Sequence, residues 1–182
     1  PSANGWEFSW SNCCYSSLEN SNATTIYASA TIYPNSQGAL PAVSTAELEE
    51  LPAVVYGTNG DPGTFLLRPN LNSSADSISV SLAAPKQSAT GNHTFSPGFS
   101  SSAPLPDGGE NPQNGANLFN PQTGVLSYDI DSANAGSYIL GAYLDYYKQG
   151  NLVARVNRNL MYIHNTFIPD YNPAITIRQN GM

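Results

Sequence analysis

The sequence predicts an all-β domain, an antiparallel β-sandwich of roughly seven to nine strands, and three observations carry that expectation. Apolar and polar residues alternate with a period of two in several segments bounded by Gly, Pro, Asn and Ser. The 15 Gly and 14 Pro cut the 182 residues into short runs, which excludes a helical bundle. Charged residues make up only 10% of the chain, while Ser and Asn fill about a quarter of it. That surface chemistry belongs to extracellular β proteins and fibres more than to intracellular enzymes.

In chain order, Trp6, Phe8 and Trp10 alternate with Glu7 and Ser9, predicting a strand whose aromatic face is core. Residues 25–33 (TIYASATIY) form a second strand, rich in β-branched and aromatic side chains and stopped by Pro34-Asn35-Ser36. Residues 44–50 (STAELEE) are the single short helical turn predicted, capped by Ser44 or Thr45. Residues 53–56 and 64–67 flank a Gly-, Asn- and Pro-rich turn at 57–63, a hairpin or a strand-loop-strand connection. Residues 77–82 (SISVSL) alternate most cleanly, with Ile78, Val80 and Leu82 inward and Pro85 beyond the end. Residues 86–121 lack periodicity and read as a long loop. Residues 125–130, 136–146 and 152–163 are predicted as a three-strand meander, with Lys148-Gln149-Gly150-Asn151 as its last turn. The domain is therefore assigned to residues 1–164. Residues 165–182 are a linker with one more short strand signal, AITIR at 174–178, for contact between modules or subunits.

Function classes narrow by exclusion. A net charge of −7 without any basic cluster excludes a nucleic-acid partner. No apolar run approaches the roughly 18 residues of a spanning helix, so no membrane insertion is expected. Pro1 carries no signal peptide, so the chain reads as mature if it is exported. His93 and His164 lie in no metal-spaced motif and read as solvated or hydrogen-bonded surface groups. There is no Gly-x-Ser-x-Gly elbow. Glu47, Glu49 and Glu50 read as a solvated helical face, not a hydrolytic carboxylate pair. Asp129 and Asp131 share the outward face of one strand and, with Asp145 on a neighbouring strand, form a weak calcium candidate. No catalytic residue and no cofactor is assigned. An aromatic sugar platform built from Trp6, Trp10, Tyr146 and Tyr147 is disfavoured, because alternation sends both tryptophans to the core and the adjacent tyrosines to opposite faces. Asn22, Asn72 and Asn92 satisfy the N-glycosylation rule at the frequency chance gives in so Asn- and Ser-rich a chain.

Two stretches are more specific. Residues 5–20 (GWEFSWSNCCYSSLEN) set a Trp strand before a Cys-Cys pair and an Asn. Residues 119–164 contain Gly124-Val125-Leu126, Gly136-Ser137-Tyr138, Tyr147-Lys148-Gln149-Gly150 and Arg158-Asn159. This order resembles an immunoglobulin-like or cadherin-like module of large secreted surface proteins of Bacteroidetes, of the gliding-motility and adhesion type. Tyr15-Ser16 and Asn159 depart from the family pattern, which has Arg-Asn after the Cys pair and an acid after the later Arg. The resemblance implies an immunoglobulin-like sandwich at the cell surface. Relatives carry further cysteines able to pair with the dyad and this chain has none, so a vicinal Cys13–Cys14 disulfide leads over two buried thiols and over a bond to another chain. The family's Asp-rich segment keeps only Asp76 here, so its calcium binding is not carried over. Asp-Ser-apolar tripeptides make Ser77 and Ser132 candidate O-glycosylation sites. The function expected is a noncatalytic module of an adhesin or filament whose partners are neighbouring copies, joined head-to-tail through Ala174, Ile175 and Ile177. A carbohydrate-binding module, with glycans as partners, is the alternative.

Overall fold

A computed structural model describes residues 5–15, 17–35, 38–41, 54–58, 63–67, 75–106, 119–128, 130 and 135–165. Among these the regular structure is all strand: β1 (Trp6–Cys13), β2 (Thr25–Ile32), β3 (Val54–Thr58), β4 (Gly63–Leu66), β5 (Ser77–Ala83), β6 (Phe119–Asn120), β7 (Val125–Tyr128), β8 (Gly136–Lys148) and β9 (Asn151–Asn165). The helical turn expected at 44–50 and the strand signal at 174–178 lie outside the described residues.

The larger sheet runs β1-β2-β9-β8-β5, with β3 joining β9 further along, and the smaller runs β4-β7-β6. Its backbone is the β8–β9 hairpin, paired from Lys148↔Asn151 to Gly136↔His164. Gln149 and Gly150 both have positive φ (50° and 73°), the two-residue turn whose twist matches that of the strands it joins. Asp76 holds that turn from outside, its carboxylate accepting from the Gln149 amide at 2.6 Å. Between Tyr146 and Tyr147 the register shifts, which absorbs Val153 as an extra residue.

The sheets pack face to face. Leu67, Leu126, Tyr128 and Ile130 from the smaller layer meet Val80, Tyr138, Leu140, Leu160 and Tyr162 from the larger. Tyr128 and Tyr162 make an edge-on ring contact at 4.8 Å, a favoured geometry for aromatic pairs. In β5 the inward Ile78 and Val80 are buried and the outward serines are exposed, as the alternation predicts.

The connections refine the sequence expectation. Of the two alternatives for β3 and β4, the hairpin fails and the strand-loop-strand connection holds: β3 runs parallel to β9 in the larger sheet and β4 pairs with β7 in the smaller. β7 is not the first strand of a meander with β8, because Leu126 and Tyr128 are needed in the smaller sheet to cover the β8–β9 ribbon. Of the loop predicted at 86–121, the stretch just after β5 passes over the outer face of the larger sheet, whereas Phe99 and Leu105 pack into the core on its inner face. The chain leaves β5 and crosses β8 at Gly141, where a Cβ would lie 2.6 Å from the Ala83 carbonyl oxygen and 2.7 Å from the Pro85 nitrogen. Only a residue without a side chain admits that crossing. Asn159 on β9 then holds the crossing chain by two bonds, donating to the Lys86 carbonyl (2.8 Å) and accepting from its amide (3.1 Å).

Asn20 closes the other gap. β5 ends opposite Gly141, so among the described residues no strand pairs with the β8 edge at Ser137 and Ile139. The Glu19 amide bonds the Ser137 carbonyl, and the Asn20 side chain both accepts from the Ile139 amide (2.9 Å) and donates to its carbonyl (2.8 Å). Asn20 also donates to the Pro104 carbonyl (2.7 Å) and is completely buried. One carboxamide thus takes the bonds that a paired strand would make and ties the segment at Pro104 to the sheet. Asn20→Ala leaves these buried backbone groups without partners, at about 3 kcal/mol in total. Urea unfolding is expected to show a midpoint lowered accordingly with an unchanged slope.

Candidate functional site

β1 pairs residue for residue with β2, from Trp6↔Ile32 to Cys13↔Thr25. Across the sheet, Phe8 aligns with Ala30, Val156, Leu144 and Val80, and Trp6 with Ile32, Ala154, Tyr146 and Ile78. Trp6, Phe8 and Trp10 therefore share the apolar face, as alternation predicts. Their burial is not as predicted: they are 51%, 61% and 56% exposed. The core clusters are built on β5, β8 and β9, and β1 extends the apolar face past the layer that covers it. Among the described residues β1 is bonded to β2 alone, and no described strand pairs with its other edge.

At the end of β1, Cys13 and Cys14 are joined to each other in a vicinal disulfide, and both residues are exposed. Tyr15 follows and turns inward, and its phenol is pushed up to about 12, chiefly by burial, with a hydrogen bond to Asn159 working the other way.

The opposite face of the sheet is polar. One row across it reads Glu7, Thr31, Arg155, Asp145, Ser79, and the next reads Ser9, Ser29, Asn157, Tyr143, Ser81. Arg155 donates to Asp145 through Nε (2.6 Å) and Nη2 (2.7 Å), a bidentate pair between directly opposed residues. Those bonds raise the guanidinium above its ordinary range against the pull of burial. The same group lies 4.7 Å from the Tyr143 ring centroid. Tyr27 donates to Glu7 at 2.5 Å. Between these rows and Lys86 of the crossing segment is an open cleft of about 310 Å³, lined also by Tyr33 and Asn157. Burial raises the Tyr33 phenol above its ordinary value.

The sequence-selected residues fall as follows. Asp145 is occupied by Arg155, so both its oxygens are engaged; Asp129, Asp131 and Ser132 lie outside the described residues, as do Glu47, Glu49, Glu50, Ala174, Ile175 and Ile177. Ser77 is exposed at the start of β5. His93 and His164 are buried, not surface groups: His93 donates through Nε2 to the Thr25 carbonyl (3.0 Å), and His164 Nδ1 lies 3.2 Å from the Tyr162 hydroxyl. Tyr146 is buried in the core and Tyr147 half-buried, on opposite faces as adjacency requires. Sequence reasoning passed over Arg155, Asn157 and Tyr143. The period-two polar series Arg155, Asn157, Asn159 was the available signal.

No protein-family model, no curated protein and no solved structure matches this chain.

Trp6 and Trp10 are the only two tryptophans, so intrinsic fluorescence reports on β1 alone. At concentrations where the protein is monomeric, emission is expected near that of a solvated indole and open to iodide quenching. A blue-shifted, protected signal would put the rings in a core. A second expectation concerns alkaline pH. The ordinary tyrosine value is about 10, and Tyr15 is held neutral in the fold up to about 12. Its contribution to stability is therefore complete below pH 10 and lost as pH rises through 12. Thermal unfolding followed by circular dichroism should show the decline in that window, and Tyr15→Phe should reduce it.

Proposed function

We propose that the chain is a noncatalytic structural module of a secreted cell-surface adhesin or filament, joined to neighbouring copies or modules through β1. The observation that carries the reading is a strand that pairs on one edge only among the described residues and presents three exposed aromatic rings. Proteins commonly blunt such edges with Lys, Pro or a bulge. WEFSWSNC has one charge, no Lys and no Pro. Burying the exposed halves of three aromatic side chains, roughly 300 Å², gains about 7 kcal/mol at ~25 cal/mol per Å². That is comparable to the cost of association alone, about 4–15 kcal/mol. Ring burial by itself is thus marginal, and strand pairing at the edge supplies the remainder and the register.

The occupant the sequence offers is AITIR at 174–178 of a neighbour, whose Ala174, Ile175 and Ile177 are the apolar residues following the proline-containing 165–173 segment. Addition of that strand to β1 is heterologous and produces a head-to-tail chain. The resemblance of residues 5–20 and 119–164 to modules of Bacteroidetes surface proteins, and the sparse charge, support the same reading and an immunoglobulin-like classification.

Assembly is tested by sedimentation and light scattering over a concentration series. The full chain is expected to form higher species with a concomitant blue shift of tryptophan emission. Phe8→Lys and deletion of residues 167–182 should each leave a folded monomer with unchanged far-ultraviolet circular dichroism. Persistence of the same assemblies in both variants, or a full-length monomer at every concentration, overturns the reading.

A further inference from the structure

We infer that Arg158 is the charged anchor of the β1 assembly surface and that it receives Asp170 of a neighbouring copy. The inference rests on the assembly reading above and names the contact that gives that surface its specificity. Arg158 lies on β9 between Val156 and Leu160, which both pack against the core, and directly opposite the buried Ala142. Alternation puts its side chain on the same apolar face. Continuing the Ser29↔Asn157 register by one residue sets it in the row Trp10, Ala28, Arg158, Ala142, Leu82, next to the row of Phe8. The side chain is half-buried, and among the described residues no hydrogen bond or ion pair engages it. Burial lowers the guanidinium from the ordinary arginine value, with the Tyr146 phenol acting the other way. Arg155, three residues earlier and on the opposite face, shows how the fold treats a cation it keeps for itself: two bonds to Asp145 and a tyrosine ring alongside. A cation set among apolar side chains without a carboxylate is unfavourable until one arrives.

The surroundings define what brings that carboxylate. The way to Arg158 from the β1 edge passes Trp10 and Phe8, both more than half exposed, so the occupant is an apolar segment carrying one acid. The chain contains such a segment. After Asp145 the only Asp or Glu in the sequence is Asp170, set between Phe167-Ile168 and Tyr171 and bracketed by Pro169 and Pro173. The two prolines unsuit this stretch to a ladder. With residues 174–178 of a neighbour added to the edge of β1, it is therefore the part that turns across the apolar face. Its reach is sufficient: an added strand lies three strand spacings from β9, about 14 Å. Four extended residues from Ala174 back to Asp170 span about 13 Å, and the arginine side chain covers the remainder. On that path Tyr171 meets the exposed rings of β1. At a net charge of −7 the copies repel one another, so a single fixed cation decides where an acidic tail is accepted.

The test is a charge exchange in the full chain, read by sedimentation velocity over a concentration series. Arg158→Glu and Asp170→Lys are each expected to raise the concentration needed for assembly at least about tenfold, with far-ultraviolet circular dichroism unchanged. An equimolar mixture of the two should assemble again, because every face then meets a tail of opposite charge. The double variant should assemble alone for the same reason. Should Arg158→Glu unfold the domain, Asp170→Lys and Asp170→Glu test the contact on an unaltered face: glutamate keeps assembly and lysine loses it. Assembly that Phe8→Lys abolishes but Asp170→Lys leaves intact overturns this inference and spares the assembly reading. Loss in two folded single variants without recovery in their mixture does the same. A parent that is monomeric at every concentration overturns both.

Discussion

The pairing of β8 with β9 is the constraint on which the rest of the structure depends. β2, β3 and β5 all attach to this ribbon, and its inner residues supply most of the larger sheet's share of the core. Its register follows from a two-residue turn with positive φ at Gln149 and Gly150, clasped by Asp76. Because strand side chains alternate, that register also fixes which face is apolar and which polar in every strand paired outward from it. The Phe8–Ala30–Val156–Leu144–Val80 row and the Ser9–Ser29–Asn157–Tyr143–Ser81 row are the two faces of one decision.

The two candidate surfaces arise from unequal covering of those faces. On the apolar side the smaller sheet has three strands, one of them only two residues long, and it packs over β5, β8 and β9. The apolar face nevertheless continues through β2 to β1, so three aromatic rings are left in solvent on a strand whose outer edge no described strand pairs. On the polar side the segment after β5 crosses at Gly141, is held by Asn159 and meets Asn20 further on, leaving an open cleft between Lys86 and the Arg155 and Tyr143 side chains. A surplus of apolar face on one side and a partly roofed polar face on the other are consequences of the same sheet being wider than either of its covers.

Asparagine carries much of this architecture. Asn20 and Asn159 each present a carboxamide to the N–H and C=O of one backbone residue, reproducing the exchange that a paired strand would make. In a domain poor in charge, the amide supplies directional bonding without the desolvation cost of an ion. The exception is the bidentate Arg155–Asp145 pair, placed where both partners keep some contact with solvent.

Much of the local structure was determined by the sequence alone. Alternation located β1, β2, β5, β7, β8 and β9, the Lys148–Asn151 turn, and the inward set Ile78, Val80 and Leu82, because strand period and turn chemistry are properties of neighbouring residues. It also placed Trp6, Phe8 and Trp10 correctly on the apolar face. Whether that face is covered was decided only by the tertiary structure, since burial depends on how far a second layer reaches, which no period encodes. The same holds for β7 joining β4 instead of β8, for His93 and His164 being enclosed, and for Asn20 bonding Ile139 from 119 residues away. Asn157 and Asn159 are like residues in the sequence, and the fold makes one a fastener and buries the other without a hydrogen-bond partner among the described residues.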